Sequence, residues 1–224
     1  MKCRINWIDI LRGIGIFYVL LNHSSWGSLG THISPFFIGL FFFLSGLLFD
    51  KSKYRDIRDF IRKKAKRFLV PYFFFSTFFL VIFLGGTFFN YYYGTAVNKT
   101  EIFHQLFGIF YARSYITQGS ANIFLTIGNS PLWFIPALFI SEIIFFLILK
   151  SKYNKILLII FTAIIGVIIA LYVPILMPFG IEVAMYTLPF MYLGKRLKIF
   201  LTKERKLLQN ILYAVVFFCI YIIL

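Results

Sequence analysis

The sequence predicts an all-α protein, a polytopic bundle of membrane-spanning helices, and three observations lead there. Of 224 residues, 60% are hydrophobic and only 14% are charged. Apolar runs recur along the whole length, several reaching the ~18–20 residues that cross a bilayer core. The basic residues sit in short clusters between those runs. A soluble domain of this size exposes much of its area and could not hide 31 Phe and 14 Tyr beside so many Ile and Leu. The net charge of +15 does not imply nucleic acid, because Lys and Arg form no stripe along a polar face.

Seven hydrophobic spans are expected, at 5–23, 35–50, 68–84, 131–149, 156–173, 181–194 and 207–224. The second and sixth are short and need covered ends or a locally thinned bilayer. With the N-terminus in the cytoplasm, 20 of the 23 Lys and Arg fall inside, and Lys99 and Arg113 fall outside. Such asymmetry is the positive-inside rule, and it places the chain in a cell membrane with a cytoplasmic N-terminus. Residues 54–67 read as a basic amphipathic helix lying along the inner surface, with Tyr54, Ile57, Ile61 and Phe68 on or near its apolar face. Residues 85–130 read as a long outer loop, with helical apolar spacing at 101–112. Its aromatic residues Tyr91, Tyr92, Tyr93 and Tyr115 suit interfacial anchoring, as does Trp133 after Pro131.

The polar residues inside apolar runs carry the functional signal. Asp9, Arg12, Ile16, Val19 and His23 follow 3-4-3-4 spacing, so one stripe of the first span holds three ionisable groups. From Arg12 to His23 is eleven residues, which returns to nearly the same face after a rise of about 16 Å. An Arg within a span costs roughly 2.5–3.5 kcal/mol on insertion scales, so it needs a partner or a wet cavity. Asp9 and Arg12 could simply neutralise each other at i, i+3, and His23 could be an interfacial residue at the helix end. Ser45 and Gly46 are small enough to let the second span pack closely against the first. Glu142, mid-span, either faces a cavity or pairs with another buried polar group. Glu182 suits the start of an outer helix, where the dipole favours a carboxylate. His32 and His104 read as loop residues, and Cys3 and Cys219 as apolar ones. No metal-ligand spacing is legible, and Asn98-Lys99-Thr100 has the form of a glycosylation sequon.

Four stretches in order resemble the acyltransferase-3 family, membrane-bound O-acyltransferases of glycans. Arg12 and His23 are similar to its Arg-x10-His signature. FFFLSGLLF at 41–49 resembles its FF-x-x-SG pattern, RFLVPYF at 67–73 its Arg-x-x-x-Pro-Tyr, and PLWFIPALF at 131–139 its W-F-x-x-A-L-F. The nearest branch is that of polysaccharide O-acetyltransferases. The chain 1–224 is then one acyltransferase-3-like transmembrane domain. It has fewer spans than the family's usual number, which is expected of a member truncated at its C-terminus, a fragment or a short variant.

The resemblance implies transfer of an acyl group, usually acetyl from acetyl-CoA, to a hydroxyl of a cell-surface polysaccharide or its lipid-linked precursor. No bound cofactor is implied, since the acyl-CoA is a substrate; the other partners are the bilayer and the glycan acceptor. His23 is the candidate catalytic base, because a neutral imidazole takes a proton near physiological pH. Arg12 is its catalytic companion, with Asp9, Ser45 and Glu142 supporting. The polyanionic donor would meet Arg12, Arg62, Lys63 and Arg67 from the cytoplasm. Arg62, Lys63, Lys64 and Lys66 also have a plainer reading as topology determinants. A small-solute transporter or channel would instead use the Asp9, Arg12 and His23 stripe as a permeation path, but no duplicated halves are visible. An inactive, truncated relative is the third reading.

Overall fold

The computed structural model describes residues 6–22, 34–94, 96–116 and 132–202, and among these the regular structure is helical apart from isolated bridge residues at Tyr115 and Ile175. The chain divides into two compact units. Met1–Asp50 with Phe190–Leu224 form one, and Lys51–Pro189 the other.

The first unit contains α1 (Asn6–Asn22) and α2 (Ser34–Leu48), together with most of α8 (Leu188–Thr202). Ile8, Leu44 and Leu47 form its core, flanked by Trp7, Leu11, Leu40 and Phe43. The opposite side of α1 exposes Ile10, Ile14, Phe17 and Leu20. Glycines set the approach of α2 and α8. A Cβ on Gly46 would collide with the Met191 carbonyl, and one on Gly194 with that of Phe43. The small residues of the second span therefore serve its packing on α8. Gly46 meets the Met191 backbone and not the first span as the sequence suggested, because the nearest chain to its missing side chain is α8.

The second unit is built on α3 (Ile57–Tyr92), a single helix of 36 residues. Asp56 caps it, its Oδ1 accepting from the Asp59 N–H at 2.8 Å. The expected surface helix at 54–67 and span at 68–84 are thus one continuous element, and 85–92 extends the helix where a loop was expected. Pro71 lies inside without ending it. In an apolar surrounding an abandoned backbone hydrogen bond has no water to replace it, so the helix persists through a proline. It stops at Tyr93 and Gly94, where φ is +87°. The buried stripe is Phe60, Lys64, Tyr72 and Ser76, every fourth residue or a multiple of it. Ile61, expected on the apolar face, is exposed, because Glu142 and Phe146 pack against the Phe60 and Lys64 side.

Helix α4 (Lys99–Tyr111) begins at Asn98, whose side chain accepts from Thr100 N–H, and ends at Ala112 in the left-handed region. His104 sits on this helix and not in a loop. Helix α5 (Phe134–Lys150) buries Ala137, Leu138, Phe139, Ser141, Glu142, Phe145 and Phe146, more of itself than any neighbour does. Asn154 caps α6 (Lys155–Tyr172) through its side-chain oxygen. Gly166 lets α6 approach α7 (Ile181–Tyr186), since a Cβ there would lie 2.7 Å from that of Met185. The single span expected at 181–194 is split between α7 and α8 at Thr187, whose hydroxyl donates to the Val183 carbonyl at 2.7 Å. Pro189 follows at once; it has no N–H to give to a helix continuing from α7, but suits the first turn of a new one.

Among the described residues, two helices, Ile57–Tyr92 and Lys155–Tyr172, are long and apolar enough to cross a membrane. In each, only 11% of the most apolar stretch is buried, whereas the core helix of a soluble protein is mostly buried. Phe74, Phe78, Val81, Phe161 and Leu171 point away from the protein, as lipid-facing side chains do. Helices α1, α2 and α5 are shorter, at 17, 15 and 17 residues. The span expected at 207–224 lies outside the described residues.

Candidate functional site

Helix α1 carries Asp9, Arg12, Ile16 and Val19 of the expected stripe. Arg12 Nη1 lies 3.6 Å from Asp9 Oδ1, with the two side chains 35% and 37% exposed. The pairing available at i, i+3 is therefore made. Its companion Ile16 is exposed, while Ile8 and Gly15 face the core, so the stripe runs beside the buried side of α1 rather than along it. His23 lies outside the described residues, one position past the end of α1. Ser45 is half-buried on α2.

The densest polar chemistry in the second unit is on α3. Lys64 and Glu142 form an ion pair, their side chains only 9% and 3% exposed. Three aromatic rings surround the same ammonium, with centroids 6.0 Å (Tyr54), 5.8 Å (Phe60) and 5.6 Å (Phe68) away. Phe60 in turn stacks on Phe146 of α5 at 4.3 Å. The carboxylate and the ring faces offset part of the cost of burying this cation. Glu142 thus pairs with another buried polar group, one of the two alternatives its mid-span position left open.

The exposed flank of α3 is arranged differently. Lys63 Nζ donates to Asp59 Oδ2 at 2.9 Å, and Arg67 lies 5.7 Å from the centre of the Phe68 ring. Arg62 lines a cleft with Arg55, Asp56, Arg58 and Asp59. Of the three basic residues expected to meet the donor from this helix, Lys63 thus lies against a carboxylate, Arg67 against a ring, and Arg62 along the cleft.

A second buried ion pair joins Arg113 to Glu182, with side chains 7% and 4% exposed. Arg113 Nε also donates to the Met177 carbonyl at 3.2 Å, and its guanidinium lies 4.9 Å from the Trp133 ring centre. The Tyr111 hydroxyl donates to the Leu176 carbonyl at 2.6 Å, and the Leu176 N–H donates to the Ile116 carbonyl at 2.7 Å. These bonds fasten 111–116 to 176–182. Burial pushes the Arg113 guanidinium below its ordinary value, and Glu182 opposes that. Glu182 is at a helix start as expected, yet its carboxylate is spent on an arginine 69 residues away. Gly180, with φ +64°, allows the turn to press on Ala137.

A family model described as an acyltransferase domain matches residues 5–224. The chain belongs to the acyltransferase-3 family. No curated protein and no solved structure matches it. Membership makes this acyltransferase a catalyst of acyl transfer, a reaction that needs a base for the acceptor proton and donors for a developing oxyanion.

Lys64 and Arg113 are the residues that sequence reasoning missed in this acyltransferase. Lys64 was legible only as one of a run of cations. The four-residue repeat Phe60, Lys64, Phe68, Tyr72 and Ser76 is the signal that singles it out. Arg113 had no local signal, since its partners Met177 and Glu182 lie more than 60 residues away.

Proposed function

We propose that this acyltransferase moves an acetyl group from acetyl-CoA to a hydroxyl of a cell-surface polysaccharide or its lipid-linked precursor. It works as a multi-pass protein of the plasma membrane, with seven spans and a cytoplasmic N-terminus. His23 removes the hydroxyl proton as the oxygen attacks the thioester carbonyl. The C–S bond then breaks, and the CoA sulfur leaves with the proton that His23 returns. Arg12 faces the anionic donor and the negative charge that develops on the carbonyl oxygen. Asp9 holds Arg12, and Glu142 positions the basic end of α3 through Lys64.

The observation that carries this reading is the family match from residue 5 onward, together with an Arg12–Asp9 pair on α1 eleven residues before the histidine. A guanidinium on a span keeps its charge, so it is available to a thioester arm reaching in from the basic side. Twenty basic residues on the proposed inner side support donor entry from there.

The test uses membranes containing the full chain, acetyl-labelled acetyl-CoA and lipid-linked glycan. Label should appear in the glycan. His23→Ala and Arg12→Ala should each abolish transfer while inserting at the level of the parent. Full transfer by His23→Ala would overturn the mechanism.

A further inference from the structure

Three anomalies converge where α4 ends and where α5 and α7 begin. The first is backbone strain. Among the described residues, the non-glycine residues with left-handed backbone are Ala112 (φ 59°) and Phe179 (φ 56°). Each lies within three positions of a member of the buried Arg113–Glu182 pair. A side chain is costly in that region, and such outliers gather at functional sites. The second is unmet hydrogen bonding. Ser114 Oγ and Glu182 Oε2 are buried without a hydrogen-bond partner, in residues 8% and 3% exposed. Buried polar oxygens are nearly always paired, so an unpaired one marks a group kept for something other than folding. The bonds that fasten 111–116 to 176–182 use neither atom. The third is a fixed ring that keeps open surface. Trp133 is half-exposed, and the Arg113 guanidinium lies over its ring, 4.9 Å from the centre. Glu182 and the Met177 carbonyl hold that guanidinium in place.

We propose that this knot is a subsite for a sugar ring, with the indole of Trp133 taking its C–H face and the oxygens of Ser114 and Glu182 taking its hydroxyls. A pyranose presents that chemistry, an apolar face edged by groups that both donate and accept. An anion would be repelled by the carboxylate, and an apolar ligand would leave both oxygens unmet. The two oxygens are closed to solvent. The sugar therefore reaches them as the turns at Ala112 and Phe179 yield, a movement that relieves left-handed backbone. Arg113 is a positioning residue: it sets the plane of Trp133 and the direction of the Glu182 carboxylate. Trp133 precedes α5, whose 17 residues put about 25 Å between it and Lys150. The basic clusters mark the proposed inner side, so the knot faces outward. That the bound sugar is the acyl acceptor rests on the function proposed above; the sugar subsite does not.

The test uses the full chain in phosphatidylcholine nanodiscs, carrying Trp7→Phe and Trp26→Phe so that only Trp133 remains of the three tryptophans. The probes are the methyl glycosides of glucose, galactose, rhamnose and N-acetylglucosamine, and the lipid-linked glycan fraction of the cells that make the protein. Sorbitol is the control, a polyol with no ring face. A sugar seated on the indole gives a saturable change in Trp133 emission with a ring probe and none with sorbitol. Ser114→Ala should weaken that binding about fivefold. It should leave Tm unchanged or raised, because a buried hydroxyl without a partner does not stabilise the folded state. In the transfer assay, Ser114→Ala and Trp133→Phe should raise the acceptor KM to a similar extent and leave the acetyl-CoA KM alone. A merely structural role would lower the amount of active protein and move kcat only.

No saturable change with any ring probe, an equal response to sorbitol, or parent-like binding by Ser114→Ala overturns the subsite. So does a parent that transfers acetyl while both variants keep its acceptor KM, and that result leaves the proposed function standing. Sugar binding that Ser114→Ala weakens, in a parent that transfers nothing, sinks the acceptor role and leaves the subsite.

Discussion

Replacing Lys64 by Met tests the buried core of the second unit. Lys64 and Glu142 are 9% and 3% exposed, so removing the ammonium leaves a carboxylate with almost no water. Breaking one side of a buried pair costs about 3–5 kcal/mol. Met keeps the stem's volume and its contacts with Tyr54, Phe60 and Phe68, which places the loss at the low end, about 3 kcal/mol. At about 2–4 °C per kcal/mol for a chain of this length, Tm falls by about 6–12 °C. The Lys64→Met/Glu142→Leu double variant removes both charges and should recover most of that loss. The measurement is thermal unfolding of the detergent-solubilised full chain, followed by intrinsic fluorescence, for parent, both single variants and the double. Additive losses in the cycle, or a shift under about 2 °C for Lys64→Met, would show that the two groups are not coupled across α3 and α5.

Three further outcomes follow from the packing. Gly46→Ala should destabilise by about 1–3 kcal/mol, because its methyl meets the Met191 backbone, whereas Gly85→Ala, with nothing within 4 Å, should be neutral or stabilising by about 0.5–1 kcal/mol; thermal melts of the pair read the difference. Arg113→Lys should fail to restore what Arg113→Ala loses, since Lys cannot both pair with Glu182 and donate to Met177 O while lying on Trp133; limited proteolysis near 111–116 should show both variants cut faster than the parent. Ile164→Lys, at the middle of α6 on its exposed side, should reduce membrane insertion by about 2.5–3.5 kcal/mol in a glycosylation-reporter assay, and unchanged insertion would contradict a lipid-facing α6.

Helix limits were legible wherever an apolar run ended at cap chemistry. The run expected at 156–173 is α6 at 155–172, because Asn154 supplies the cap. The first span and α1 differ by one residue at each end. Misreadings occurred where two signals competed. The change from basic to aromatic residues divided 54–67 from 68–84, but α3 runs through it, and through Pro71. Continuous hydrophobicity over 181–194 hid the break at Thr187 and Pro189. The site divides the same way. Asp9 and Arg12 are local partners, and their pairing could be read from spacing alone. Glu142 was recognisable as a buried carboxylate needing a partner, but that partner lies 78 positions earlier, and no periodicity identifies it. Sequence marks which groups cannot stay alone in an apolar setting; tertiary packing decides whom they meet.

The length of α3 has a mechanical consequence. Thirty-six residues make a rod of about 54 Å, against a hydrocarbon layer of about 30 Å. Its phenylalanine-rich portion and its arginine-bearing end belong to one helix with no hinge loop between them. If the helix spans the bilayer as proposed, a thinner membrane leans the rod over and a thicker one stands it up, so the inclination of its basic end follows the local thickness.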